Sequence, residues 1–270
     1  MKRFIIIMFL GVSLVSGQGN FSMNDSTNEN NIGSSDLSHF YYSGKTLVMA
    51  PGNWDGKDWL NLGIATAGTG LLFFADQAVR EEVQKNQGSG SAILEIDKYY
   101  GSWQMLILSA GLYTYGYGAK NKSVRRLGLK TAEAFIYSGI AANLIKPIIG
   151  RRRPFAGDDN MVFQPFTLDN TYHAMPSGHT TTAFAFSTVM ADAVDNIFWD
   201  LVWYGAAVAT GAARIYHDQH WISDVFAGAV LGYAVGRHIS TFDEKEGTSD
   251  ERWSLGLSPG GVTLVIRLDQ

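Results

Sequence analysis

The stretch ARIYHDQHWISD, residues 213–224, joins two apolar segments. An arginine closes the first, and His220 and Asp224 open the second. A spacing of four places His220 and Asp224 on one face of the second segment if it is helical. A carboxylate there can accept the imidazole Nδ1–H, fix the tautomer and leave Nε2 as nucleophile or base. Arg214 adds a planar cationic fork suited to phosphate oxygens. The flanking segments, 198–215 and 222–239, belong to a set of six at helix length, with 59–79, 103–119, 131–149 and 179–194. Each is rich in Gly, Ala, Leu and aromatic residues with few β-branched runs, which predicts an all-α bundle of about six helices. Small residues recur at close spacing, as in Gly63, Ala67, Gly70 and Gly228, Gly232, Gly236, the pattern of helices that pack backbone to backbone.

The ends of the chain differ from its middle. Met1-Lys2-Arg3, an apolar run over 4–15 and Ser16-Gly17-Gln18 predict a secretory signal peptide over 1–18, with an uncleaved N-terminal anchor as the alternative. Residues 19–50 begin rich in Asn, Ser, Asp and Gly and are expected to form a flexible leader. The helical domain is expected over 51–242. A linker and short C-terminal β-hairpin follow over 243–270, where Ser258-Pro-Gly-Gly261 separates two strand-like pieces.

The chain of 270 residues has room for a sizeable core. Its net charge of −4 argues against a nucleic-acid partner. With no cysteine there is neither a disulfide framework nor a thiolate metal site or nucleophile. A mean hydropathy of −0.02 is low for six membrane spans. With a cleaved signal and six spans, the basic stretch 120–130, expected as a loop, would face outward, against the positive-inside rule. A soluble or membrane-surface bundle resolves the conflict, and a bilayer-embedded bundle is the alternative.

Two earlier pieces complete the chemistry. Lys146 is followed after six residues by Arg153-Pro154, and Pro176-Ser177-Gly178-His179 opens the fourth segment. Ser177 and Gly178 at a helix N-terminus would offer backbone N–H groups to an oxyanion. In an up-and-down bundle the end of helix three, the start of four, the end of five and the start of six share one rim, so the three pieces converge. Singly each is weak: a His–Asp pair commonly caps a helix, and Arg151 to Arg153 alone would be a solvated loop. Arg153 is assigned to the site, and Arg151 and Arg152 are expected outside it. Loop roles are expected for His173 and His217, and solvated ones for Asp158, Asp159 and Asp169. The aromatic stripe Trp103, Tyr113, Tyr115 and Tyr117 is read as packing or interface.

Together, in order and at these spacings, the pieces resemble the signature K-x6-R-P, P-S-G-H, S-R-x5-H-x3-D. It belongs to the superfamily of type 2 phosphatidic acid phosphatases, bacterial class A acid phosphatases and vanadium haloperoxidases. The resemblance covers about 130–240. It departs at Ala213, where the family usually has serine, which removes one hydroxyl and no charge. The resemblance implies a metal-independent phosphatase without cofactor. His220 would be the nucleophile, Asp224 its orienting partner, and His179 the acid and base. Lys146, Arg153, Ser177, Gly178 and Arg214 would bind phosphate. It implies as substrate a phosphorylated lipid or a small phosphomonoester, at a membrane surface or bilayer, with an active site facing the periplasm. A broad acid phosphatase is the close alternative; a vanadate-dependent haloperoxidase and a non-catalytic membrane scaffold are the remote ones.

Overall fold

A computed structural model describes residues 32–86, 92–194, 196–242, 253–258 and 261–266. The signal-like segment and the linker 243–252 lie outside the described residues. Eight α-helices are described: α1 (Ile32–Met49), α2 (Gly56–Leu72), α3 (Asp76–Lys85), α4 (Gln104–Gly118), α5 (Lys122–Ile149), α6 (Gly178–Asp192), α7 (Ile197–Tyr216) and α8 (Ile222–Thr241). Two strands, β1 (Trp253–Ser258) and β2 (Gly261–Ile266), pair antiparallel with Trp253 opposite Ile266 and Ser258 opposite Gly261.

Helix α6 is the axis of the bundle. Every residue from Thr180 to Val189 is buried. One core lies where Phe184 and Phe186 meet Tyr100, Met105 and Ala207. A second gathers Ala185 and Val189 with Ala134, Val235 and Ile239. Against α6 runs the small-residue row of α8. A Cβ on Gly228, Gly232 or Gly236 would come within 2.7, 2.1 and 2.6 Å of the carbonyl oxygens of Ser177, Thr181 and Ala185. The same close approach joins α4 to α5, where a Cβ on Gly128 would stand 2.3 Å from the Tyr113 nitrogen. The row on α2 behaves differently: Gly63 and Gly70 face open space.

Three expectations are corrected. The segment 59–79 is not one helix. Tight i→i+3 turns from Phe73 to Ala75 end α2, and α3 departs at 53°. The break swings the Asp76 carboxylate inward, where it is buried and ion-paired.

The basic stretch 120–130 is not a loop. Asn121 caps α5 by accepting the Val124 N–H at 3.1 Å, and the helix runs 28 residues to a left-handed Gly150. Two of its five cations point inward to partners: Arg125 pairs with Asp36 at 2.9 Å, and Lys130 donates to the Ser240 carbonyl at 2.8 Å.

The leader is not free of structure from residue 32 onward. Helix α1 docks on α5 and α8 through polar contacts. His39 Nδ1 meets Glu133 Oε1 at 2.7 Å with both side chains fully buried. Tyr113 donates to Asp36 at 2.7 Å, Tyr137 donates to the Phe40 carbonyl, and Thr46 bonds His238 Nε2 at 3.0 Å.

The outer surface is strongly apolar. Trp59, Leu60, Ile64 and Leu71 on α2 are exposed, as are Ile107 and Tyr115 on α4 and Phe198 and Leu201 on α7. Such patches mark an interaction surface. No single described helix is long and apolar enough to cross a membrane; α2 and α3 together pass that test as a bent pair.

The α6–α8 contact makes a sharp prediction. Gly232→Ala should lower unfolding free energy by about 1–3 kcal/mol through overpacking, measured by denaturant titration. Gly63→Ala on the open face of α2 should leave it unchanged or slightly raised.

Candidate active site

The rim where α5 ends, α6 begins and α7 turns into α8 gathers the predicted residues. Lys146 lies in the last turn of α5, and its Nζ would stand 3.0 Å from a Cβ on Gly178. The excursion 150–175 folds back over this end. Gln164 and Phe166 donate backbone N–H groups to the Gly150 and Pro147 carbonyls, and Ala174 donates to that of Arg151. Arg153 is fixed by the Asn170 carbonyl at 3.0 Å and by Gln219 Oε1 at 3.1 Å.

His220 is almost fully buried. Its Nδ1 lies 2.7 Å from the Ala174 carbonyl oxygen. A carbonyl only accepts, so Nδ1 carries the proton and Nε2 keeps its lone pair. Asp224 does not make this bond: its Oδ2 is 3.8 Å from Nδ1, beyond hydrogen-bond range. Its oxygens instead accept from the Trp221 N–H at 2.9 Å and from Arg151 at 2.7 Å. Burial pushes the Asp224 carboxyl up, and the Arg151 guanidinium is the main force opposing it.

Arg151, expected outside the site, is fully buried beneath it. All five of its donors are used. Nε and Nη2 reach the Asn160 carbonyl at 3.1 and 2.9 Å. Nη1 reaches Ser223 at 2.6 Å and Asp224 at 2.7 Å, and Nη2 reaches Asp76 at 2.5 Å. Its guanidinium lies 4.1 Å from the Phe73 ring centre and 5.6 Å from that of Trp221. The solvated-loop reading of Arg151 fails because its acid, Asp76, is supplied from 75 residues away by the α2–α3 break.

A second unforeseen residue is Asp97, on a short 3-10 helix (Ala92–Lys98). It accepts from Arg214 at 2.8 Å and from His217 at 3.1 Å. Burial pushes its carboxyl up, and these two partners more than reverse that. The Arg214 Nε is buried and has no partner among the described residues.

Ser177 is likewise more committed than its motif implies. Its N–H donates to the Asp224 carbonyl at 3.0 Å, tying the start of α6 to the start of α8. Its Oγ accepts from Thr180 at 2.9 Å. His173 bonds the Thr167 carbonyl at 2.9 Å, and Asp159 and Asp169 cap turns of the excursion at Met161 and Thr171. Asp158, at an exposed position, pairs with Arg80.

The electrostatics fit an oxyanion. Burial, then Arg153 and Arg214, bring the Lys146 ammonium down to about 8. Burial and Arg214 also lower Arg153. Burial, Arg214 and its neighbours take His179 to about 4, and His220 is held well below the usual histidine range by burial and Arg153. Three cations thus crowd two neutral imidazoles, an arrangement that a bound dianion would relieve. Among the described residues no group of three His, Asp or Glu side chains is placed to hold a metal ion.

Residues 127–247 match the family model of the PAP2 superfamily, and all three motifs lie within them. The chain is 31% identical over 168 residues to a lipid A 1-phosphatase of Porphyromonas gingivalis, covering 62% of this chain and 34% of that protein. It is 34% identical over 99 residues to a lipid A 1-phosphatase of Rhizobium johnstonii, covering 36% of this chain and 40% of that protein. The matches thus span 40% or less of these two relatives. A solved structure, the transmembrane PAP2 type phosphatidylglycerolphosphate phosphatase from Bacillus subtilis, aligns with TM-score 0.48 and 19% identity. That alignment covers 80% of this chain and 98% of the other.

Two measurements test the site. Arg151→Met strands two buried carboxylates and should cost about 3–5 kcal/mol of stability; Arg151→Lys, lacking the five-donor fork, should recover little of it in denaturant titration. Lys146 near pH 8 is partly neutral, and an oxyanion raises its pKa. Phosphate or vanadate binding at pH 8 should therefore take up roughly half a proton, read by calorimetry in buffers of different ionisation enthalpy. Affinity should fall as pH rises through that range, and Lys146→Met should remove the lysine's share of the uptake.

Proposed function

We propose, from the PAP2-superfamily region at 127–247, that this chain is a phosphatase of phosphorylated lipids working through a phosphohistidine. The observation that carries the mechanism is the His220 tautomer: Nδ1–H is spent on the Ala174 carbonyl, so Nε2 is an unprotonated nucleophile inside a ring of cations. In the first step Nε2 forms a bond to phosphorus, the ester P–O bond breaks, and His179 gives its proton to the departing oxygen. The phosphate dianion favours the imidazolium form of His179 that this step needs, reversing the pull of Arg214 and Lys146. In the second step His179 takes a proton from water, the oxygen attacks phosphorus, and the P–N bond breaks to release inorganic phosphate. Lys146, Arg153 and Arg214, with the Ser177 hydroxyl and Gly178 N–H, hold the equatorial oxygens as charge redistributes. Asp224 acts through Arg151 and the α8 N-terminus, keeping the His220 turn in place. Every proton in this scheme is moved by a side chain named here, and it needs neither metal nor cofactor.

Support for a lipid substrate comes from the apolar exterior and from the relatives that are named lipid A 1-phosphatases. The signal-like start of the chain supports a location outside the cytoplasmic membrane, with the rim facing the periplasm.

The test is phosphate release by the purified full chain in detergent with EDTA present, comparing p-nitrophenyl phosphate with lipid A and phosphatidate. Lipid turnover well above that of the small ester is expected, with inhibition by vanadate. His220→Ala should cost at least about a thousandfold in kcat and prevent trapping of labelled phosphoenzyme after an alkaline quench. Full activity in that variant overturns the mechanism, and equal rates on both substrate types favour a broad acid phosphatase.

A further inference from the structure

Helix α3 lies outside the signature motifs, yet its inner face follows the α7–α8 turn from end to end. At its start Asp76 accepts the Ser223 N–H at 3.0 Å. One turn on, Arg80 donates from Nε and Nη2 to the two Asp218 carboxylate oxygens at 2.7 and 2.9 Å. One turn further, Gln84 Nε2 reaches the Ile215 and Tyr216 carbonyls at 3.4 and 3.3 Å. A spacing of four puts these three side chains on one helical face.

Arg80 brackets His220. Asp218 stands two residues before it, and the guanidinium also lies 5.5 Å from the ring centre of Trp221, the residue after it. The pair with Asp218 is a bidentate fork, with each side chain 19% exposed. The second contact of Arg80, to Asp158, is of a weaker kind, because that carboxylate is 98% exposed.

The conformation of Asp218 calls for such a hold. Its φ of +54° lies in the left-handed region, which a residue other than glycine occupies at a cost. Consecutive residues of the turn then part: His217 reaches Asp97, Asp218 reaches α3, and Gln219 reaches Arg153. His220 follows and meets the Ala174 carbonyl.

The groups that would hold phosphate have anchors elsewhere. Lys146 and Gly178 belong to α5 and α6, Arg153 is also fixed by the Asn170 carbonyl, and Arg214 by Asp97. Of the predicted site residues, His220 alone sits within the turn between α7 and α8.

We propose that α3 splints this turn and that Arg80 is a positioning residue, acting through Asp218 to hold His220 in line with phosphorus. The proposal rests on the phosphatase reading above. It places the effect of Arg80 on the chemical step and leaves phosphate binding to the cations.

The test uses the full chain in detergent, with whichever of lipid A and phosphatidate wild type turns over faster. It measures kcat, KM and the affinities for inorganic phosphate and vanadate. Phosphate reports the cation cluster; vanadate, which accepts a fifth ligand, also reports the in-line approach of His220 Nε2. Arg80→Met should lower kcat about tenfold to a hundredfold, the cost of a displacement of about 1 Å at a reacting group, and weaken vanadate in parallel. KM and phosphate affinity should stay within about twofold. Arg80→Lys, a point charge without the fork, should recover part of kcat. Asp218→Asn tolerates the left-handed turn, loses the charge and should repeat the Arg80→Met loss, which keeps the test decisive should Arg80→Met fail to fold. The double variant should be no slower than the slower single one. Asp158→Asn, which removes only the exposed contact, should leave kcat unchanged.

Unchanged kcat in Arg80→Met and Asp218→Asn, beside a normal wild-type rate, overturns the proposal alone. So do losses that multiply in the double variant. A parallel fall in phosphate affinity would make α3 a general support of the fold and also overturns it. Failure of wild type to release phosphate from either lipid overturns the phosphatase reading, and this proposal with it.

Discussion

Arg151 is the joint on which the rest of the molecule closes. Its five donors reach the α2–α3 break, the 150–175 excursion and the start of α8, three parts of the chain that Asp76 also joins. The desolvation cost of so buried a cation is met only because two carboxylates, a hydroxyl and a carbonyl surround it with good geometry. Remove it, and Asp76 and Asp224 are left as buried charges on either side of the turn that positions His220. His220 is therefore held at one remove: the carbonyl of Ala174 grips the ring, and Arg151 grips the backbone around it.

The cation cluster above Arg151 works in the opposite sense. Arg151 is neutralised by its partners, whereas Lys146 and Arg153 are left to repel each other and Arg214. Asp97 is the exception, and it is needed: it holds Arg214 through one nitrogen and leaves Nε unused. The protein thus stores unfavourable electrostatics where a dianion would discharge them, and spends its carboxylates in the layer behind.

The helical core and the converging motifs were legible in the sequence because each depends on local spacing. The Gly228–Gly232–Gly236 row needs only helix periodicity to be understood, whereas Arg153 and His220 fall outside α5 and α8 and are read from motif spacing. What was not legible depends on partners far along the chain. Asp76 lies inside the apolar segment 59–79, and nothing near it in the sequence pairs it with Arg151. The basic run from Lys120 to Lys130 looked like a loop because nothing nearby announces that Asp36 and the Ser240 carbonyl receive its side chains. The tautomer of His220 was open to two acceptors, and a carbonyl 46 residues upstream took the bond from the carboxylate four residues on.

Helix α1 carries a consequence for the order in which the molecule assembles. Its partners are remote: His39 meets Glu133 across 94 residues, and Thr46 meets His238 across 192. Contacts closed over such spans form only after the intervening chain has collapsed, since the loop entropy must be spent before they return anything. Helix α1 thus precedes its partners in the chain and waits for them to find its seat. Until residue 238 is available, α1 lacks its α8 partner and can be held only by α4 and α5.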